Sequence, residues 1–170
     1  MAPFEPGPLI ERLVDAGVEF VIVGGFAVIA HGYVRATKDL DIVPAPTREN
    51  YERLAALLRR LEAEQIGVDA HLLPNQPTDP AGLGAGGSFQ LTTSLGRLDI
   101  LQESDDVPAY ARLASSAASA SFRGRDVPVC SIAELVRMKR RAGRPQDVAD
   151  LAALEAAHGP LDPAPDSGVH

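Results

Sequence analysis

The spacing of hydrophobic positions changes along the chain, and each change predicts an element. Leu9 to Ala16 reads as a short helix ended by Gly17. Val18 to Val23 is a short apolar run rich in β-branched residues, the pattern of a buried strand. Gly24-Gly25 breaks it, and Phe26 to His31 follows as a short helix. Leu40 to Val43 is a second strand, stopped by Pro44. Thr47 is a plausible N-cap for a long amphipathic helix to about Glu64, with Leu54, Leu57, Leu58 and Leu61 at helical spacing. Ile66 to Leu72 is a third strand candidate, and the Pro- and Gly-rich segment Pro74 to Ser88 reads as a mobile loop. Phe89 to Thr93 and Arg97 to Leu101 predict a hairpin around Ser94-Leu95-Gly96. Pro108 to Ser115 predicts a helix. Ala120 to Phe122 and Val127 to Cys130 predict a second hairpin, turning at Arg123-Gly124-Arg125. Ser131-Ile132-Ala133-Glu134 has the form of a capping box opening a helix to about Arg141. Gly143 ends it, Pro145 sits near the first turn of the next helix, and that helix runs to about His158 before Gly159. One domain over residues 1–158 and a disordered tail over 159–170 are expected.

The polar residues that interrupt this pattern carry the chemistry. Strand side chains alternate faces, so Asp39 and Asp41 point one way while Leu40 and Ile42 point into the core. In Arg97-Leu98-Asp99-Ile100-Leu101 the same alternation turns Asp99 away from Leu98 and Ile100. Two neighbouring strands would gather three carboxylates, which repel one another unless cations neutralise them. Hard divalent ions, Mg²⁺ above all, suit such oxygen ligands. Gly24-Gly25 lets the backbone approach a bulky anion, and the helix that follows offers free N–H groups to a phosphate.

Composition narrows the setting. The chain has 170 residues, 45% of them hydrophobic, which suits one domain with a real core. The apolar run Phe20 to Ile29 is too short to span a bilayer and is broken by Gly24-Gly25. No basic stretch precedes an apolar one near the start, and the single cysteine, Cys130, allows no intrachain disulfide. A cytoplasmic protein without a membrane partner is the expectation. The net charge of −7 argues against a broad grip on nucleic acid. Basic residues nevertheless gather between Ser121 and Asp150, where Arg123, Arg125, Arg137, Lys139, Arg140, Arg141 and Arg144 outnumber Asp126, Glu134, Asp147 and Asp150. A local phosphate site there is compatible with an acidic whole.

The run Phe20-Val-Ile-Val-Gly-Gly-Phe-Ala-Val-Ile-Ala-His-Gly32, followed by Arg35-Ala-Thr-Lys-Asp-Leu-Asp-Ile-Val43, resembles the signature of the nucleotidyltransferase-fold superfamily. The Arg35-Ala36-Thr37 lead-in, Ser131 to Lys139, and Ala142 to Leu151 resemble its branch of AbiEii-type toxins and their minimal relatives. The resemblance covers roughly residues 9 to 155. It implies an α+β, nucleotidyltransferase (polymerase beta-like) fold, with a mixed β-sheet flanked by helices and C-terminal helices. It also implies that Gly24 and Gly25 contact a triphosphate, that Asp39 and Asp41 hold two metal ions, and that Asp99 is the third catalytic and metal-binding acid. Glu103, Asp105 and Asp106 lie near in sequence, but Asp99 best satisfies strand alternation. Lys139 would reach a nucleotide phosphate, Arg35 and Thr37 would flank the acid strand, and Arg144 and Asp147 would frame the nucleotide.

The activity so implied is Mg²⁺-dependent transfer of a nucleoside monophosphate from a nucleoside triphosphate to a hydroxyl. RNA, a tRNA end or a protein is the expected acceptor, and an antitoxin protein a possible partner. A small cationic acceptor of the aminoglycoside type is an alternative, as is a non-catalytic binding module of the same fold. Without the resemblance, Lys139 among Arg137, Arg140 and Arg141 reads as part of a solvated helix face. Asp147 reads equally as a helix cap, Asp150 as the partner of Arg144 or a neighbour, His31 and Tyr33 as packed residues, and Cys130 as a small buried hydrophobe.

Overall fold

The computed structural model describes residues 4–67 and 69–161. Its centre is a seven-stranded mixed sheet in the order β3-β4-β5-β2-β1-β7-β6. The strands are β1 (Phe20–Val23), β2 (Asp39–Pro44), β3 (Glu64–Gln65), β4 (Phe89–Thr93), β5 (Gly96–Ile100), β6 (Ala118–Phe122) and β7 (Arg125–Val129). Helices α1 (Gly7–Asp15), α2 (Gly24–Ala30), α3 (Arg48–Arg60), α4 (Pro80–Gly84), α5 (Tyr110–Ser116), α6 (Ile132–Ala142) and α7 (Pro145–His158) complete the fold. The α+β class, the mixed sheet and the C-terminal helix pair are as the sequence predicts.

β1 is buried along its whole length, as a strand between two neighbours and under helices must be. It runs antiparallel to β2 and parallel to β7. β2 in turn pairs parallel with β5, in a register that sets Asp39 beside Arg97 and Asp41 beside Asp99. Leu40, Ile42, Leu98 and Ile100 are fully buried on the other face, where they join Leu54, Leu57 and Leu58 of α3 in the core. The face opposite the core is therefore where the acids gather.

Asn50, which the sequence reading passed over, fastens β1 to β2. It is fully buried in α3. Its Oδ1 accepts from the Glu19 N–H at 2.7 Å, and its Nδ2 donates to the carbonyls of Glu19 and Ala45, both at 2.9 Å. One amide thus reinforces the entry to β1 and the exit from β2, which are also joined by the Ala45 N–H donating to the Glu19 carbonyl at 2.9 Å. Thr47 caps α3 as expected, its side chain accepting from the Asn50 N–H.

Several expected boundaries are corrected. α3 stops at Arg60 rather than near Glu64, and Glu62 just beyond it has φ +52°. The strand expected over Ile66–Leu72 is instead the two-residue β3, followed by turns and a 3-10 helix at Ala70–Leu72. Gly67 (φ +133°) and Asp69 (φ +58°) break that run, and Ile66 and Leu72 are exposed; Val68 lies outside the described residues. The segment expected as a mobile loop contains α4, capped by Asp79 and anchored by the fully buried Leu83. At α6 only half of the capping box forms. Ser131 accepts from the Glu134 N–H, but the Glu134 carboxylate turns to Arg112 at 2.8 Å. Of the expected tail, residues 162–170 lie outside the described residues.

Replacing Asn50 by Ala leaves the Glu19 N–H without its partner and takes one donor from the Glu19 and Ala45 carbonyls, which still accept from the N–H groups of Ala45 and Thr47. Asn50→Ala is expected to lower unfolding stability by about 1–3 kcal/mol, measured by urea denaturation. Asn50→Asp, which turns two donors into an acceptor facing carbonyls, is expected to cost at least as much.

Candidate active site

All ten residues singled out from the sequence line one cleft of about 330 Å³. Gly24 and Gly25 come from the end of β1 and the start of α2. Arg35 and Thr37 come from the loop before β2, Asp39 and Asp41 from β2, and Asp99 from β5. Lys139 comes from α6, and Arg144 and Asp147 from the start of α7. Lys38 and Gln146 also line the cleft, and the sequence reading did not select them. Lys38 sits between two selected positions and Gln146 beside a third, but neither belongs to a repeating pattern that could have marked it.

The parallel register of β2 and β5 brings carboxylate oxygens of Asp39, Asp41 and Asp99 within 4.8 Å of one another. Burial and crowding raise the proton affinity of Asp41 and Asp99. Asp41 is pushed up to about 7, by desolvation first and then by the charges of Asp39 and Asp99, with Lys139 and Arg144 only partly opposing. Asp99 is pushed up to about 6, by desolvation and by Asp39, against Arg97. Asp99 is buried, and its Oδ1 has no hydrogen-bond partner among the described residues. Three converging hard oxygen donors, with a buried one unpaired, fit a divalent cation.

The glycines serve this geometry directly. Gly24 has φ +69°, and a Cβ there would lie 2.7 Å from Asp41 Cγ. A Cβ at Gly25 would lie 2.7 Å from Arg35 Nη2 and 3.1 Å from Thr37 Oγ1. The Gly-Gly pair is therefore needed to let the neighbouring site residues close in, in addition to any approach by a phosphate.

Facing the acids is a cationic wall. Lys139 is only 5% exposed, which overturns its reading as part of a solvated helix face. Its Nζ lies 3.0 Å from Asp147 Oδ1 and 2.9 Å from Asp150 Oδ2. Asp147 accepts from Arg144 through Nε at 2.8 Å and through its backbone N–H at 3.1 Å, so it caps α7 and pairs two cations at once. Asp150 pairs with Arg35 and Lys139 rather than with Arg144. Burial alone would raise the proton affinity of Asp147 and Asp150, but these hydrogen bonds outweigh it and hold both below the usual carboxylate value. His31 and Cys130 have structural places. The buried Cys130 offers its carbonyl to His31 Nε2 at 2.7 Å, and Tyr33 packs against the core.

Neither a protein-family model nor a curated protein matches the chain. Solved structures do. A nucleotidyltransferase-like protein of Paracoccidioides brasiliensis is 17% identical with a TM-score of 0.60, over 92% of this chain and 78% of that one. The antibiotic-resistance factor ANT(2'')-Ia is 16% identical with a TM-score of 0.58, over 88% and 82%. The lincosamide antibiotic adenylyltransferase LnuA is 15% identical with a TM-score of 0.55, over 88% and 94%. The chain has the nucleotidyltransferase fold. At these identities the likeness is one of fold, and the chemistry of the cleft must be argued from its own residues. Within that fold, the acids sit on the central sheet and the cations on the C-terminal helices and the loop before β2.

The raised acids set a pH dependence. Unfolded, Asp41 and Asp99 ionise near 3.8; folded, they ionise near 7 and 6. Well below pH 3.8 both states are protonated and nothing is lost. Above about pH 7 both are ionised, and the folded state bears the full repulsion. Stability of the metal-free protein is therefore expected to fall by about 1–3 kcal/mol between pH 5 and 8. Asp147 and Asp150 act in the opposite sense, but only below about pH 4. Thermal melts across pH 5–8 check this, and Asp41→Asn is expected to flatten the slope.

Proposed function

We propose that the chain is a metal-dependent nucleotidyltransferase that moves a nucleoside monophosphate from a nucleoside triphosphate to a hydroxyl acceptor and releases pyrophosphate. The observation that carries this is the pairing of the three-carboxylate cluster with a cationic wall across one cleft. Asp39, Asp41 and Asp99 would hold two Mg²⁺ ions. The metal would neutralise the phosphates and polarise the phosphoryl group under attack. Lys139 and Arg144, opposite the acids, suit the charge of the triphosphate. Arg35 and Thr37 shape the wall beside Gly25. The acceptor oxygen forms a bond to the α-phosphorus while the bond to pyrophosphate breaks. Asp99, beside Asp41 on the neighbouring strand, is placed to take the hydroxyl proton.

The acceptor is RNA, a tRNA end or a protein hydroxyl on the likeness of Arg35 to Thr37 and the C-terminal motif to AbiEii-type toxins. In that setting the chain acts in the cytoplasm as the toxin of a toxin–antitoxin pair. Among the described residues no helix is long and apolar enough to cross a membrane. A second reading, a small cationic acceptor, is favoured by the net charge of −7 and by the antibiotics named for two fold neighbours, tobramycin and lincomycin.

The protein is to be incubated with Mg²⁺, each α-labelled nucleoside triphosphate, and in turn total RNA, cell protein and an aminoglycoside. Label is expected to move to one acceptor class. Asp39→Ala and Asp41→Ala are each expected to lower transfer by about 10³-fold or more, and chelation of the metal to abolish it. Nucleotide binding without transfer to any acceptor would instead support a binding module. A toxin role further requires that expression slow growth and that the same substitutions relieve it.

A further inference from the structure

The loop of residues 31–38 lends the cleft part of one wall through its second half, Arg35 to Lys38. Among the described residues, three side-chain hydrogen bonds tie this loop to distant parts of the chain, and two of them end on α7. Arg35 Nη2 donates to Asp150 Oδ2 at 2.9 Å, with Arg35 Nε 2.8 Å from Oδ1. His158 Nε2 donates to the His31 carbonyl at 2.7 Å. The third joins His31 Nε2 to the Cys130 carbonyl. The remaining bonds of Arg35 and Thr37, to the carbonyls of Ala36 and Asp39, stay within the neighbouring chain.

Asp150 is fully buried. Besides Arg35 it takes Lys139 Nζ at 2.9 Å and Gln146 Nε2 at 3.0 Å. One carboxylate of α7 thus gathers a cation from the loop before β2 and a cation from α6. Lys and Arg have many rotamers, and an untethered pair would lose that freedom on binding a phosphate. Two like charges drawn to one place also need an anion between them.

We propose that Asp150 is a positioning residue of the nucleotide site: it stands behind the cleft wall and fixes Arg35 and Lys139 in the orientation that a triphosphate requires. The inference rests on the nucleotidyltransferase reading above. It has a sign that simple electrostatics does not give. Asp150 is an anion behind a site for a polyanion, so loss of its charge alone would tighten nucleotide binding. Loss of its positioning weakens it.

The test uses the full chain with Mg²⁺ and the α,β-methylene analogues of ATP, GTP, CTP and UTP, which bind without transfer, in titration calorimetry. For the analogue that the wild type binds best, Asp150→Asn is expected to raise Kd by about 10-fold or more. Asp150→Glu keeps the charge but lengthens the side chain by one methylene, and it is expected to weaken binding as well. In the cycle Arg35→Gln, Asp150→Asn and the double variant, the double is expected to be less impaired than the product of the two singles, because both break the same bridge. Circular dichroism and melting curves identify variants that keep the native fold, and either Asp150 variant suffices. Unchanged or tighter binding by a folded Asp150→Asn or Asp150→Glu protein overturns the inference, as does strict multiplicativity in the cycle. If the wild type binds none of the analogues, the nucleotide reading falls and this inference with it. If the wild type binds and the variants bind equally well, the inference alone falls.

Discussion

Three carboxylates held within 4.8 Å of one another are the constraint that shapes this molecule. At an effective dielectric of about 20, each pair of full charges at that separation repels by about 3 kcal/mol. The sheet forces the contact. β2 and β5 are parallel neighbours, their core faces are filled by Leu40, Ile42, Leu98 and Ile100, and a one-residue slip would turn those side chains out. Burial of the aliphatic face therefore fixes the register, and the register fixes the acids. Part of the strain is relieved by proton uptake at Asp41 and Asp99. A cation would relieve it without protons, which is why the cluster reads as a metal site rather than as an accident of the surface.

The second charge layer obeys the opposite logic. Buried ion pairs are tolerated only when each charge is matched and hydrogen-bonded. Asp147 and Asp150 meet that condition with Arg144, Lys139, Arg35 and Gln146. They also make α6, α7 and the loop before β2 depend on one another. Lys139 could not be buried on α6 without the acids of α7, and the loop is fastened to α7 by Arg35 and His158.

Much of the site was legible because strand alternation is a local rule. Asp39, Asp41 and Asp99 are fixed by which face Leu40, Ile42, Leu98 and Ile100 must occupy. The role of Lys139 was not legible from periodicity, since three neighbouring arginines mimic a solvated face. Its burial depends on Asp150, eleven residues away on another helix. Asn50 was invisible for the same reason, because its partners are backbone groups at the ends of two strands. The strand expected at Ile66–Leu72 failed where turn residues overrode an apolar run, and the loop expected at Pro74–Ser88 failed because one leucine, Leu83, finds a place in the core. Elements set by neighbours in sequence were readable; those set by a single distant contact were not.

The distribution of charge within the cleft also bears on the reaction. Its lining carries Arg35, Lys38, Lys139 and Arg144 against Asp39, Asp41, Asp99 and Asp147, four charges of each sign. With all eight ionised, as bound cations would leave the acids, the cleft is neutral in sum while the whole chain carries −7. The signs are separated in space, however: the three clustered acids lie on the sheet, and the cations on α6, on the start of α7 and on the preceding loop. A bare anion would be attracted to one wall and repelled by the other, and a bare cation the reverse. A species that presents cations on one side and phosphate oxygens on the other suits both walls. A metal-bound triphosphate has that charge pattern, whereas an acceptor hydroxyl, being uncharged, leaves no comparable mark on the lining. On the proposed reading, that difference is the physical reason why the cleft is marked by the donor far more closely than by the acceptor.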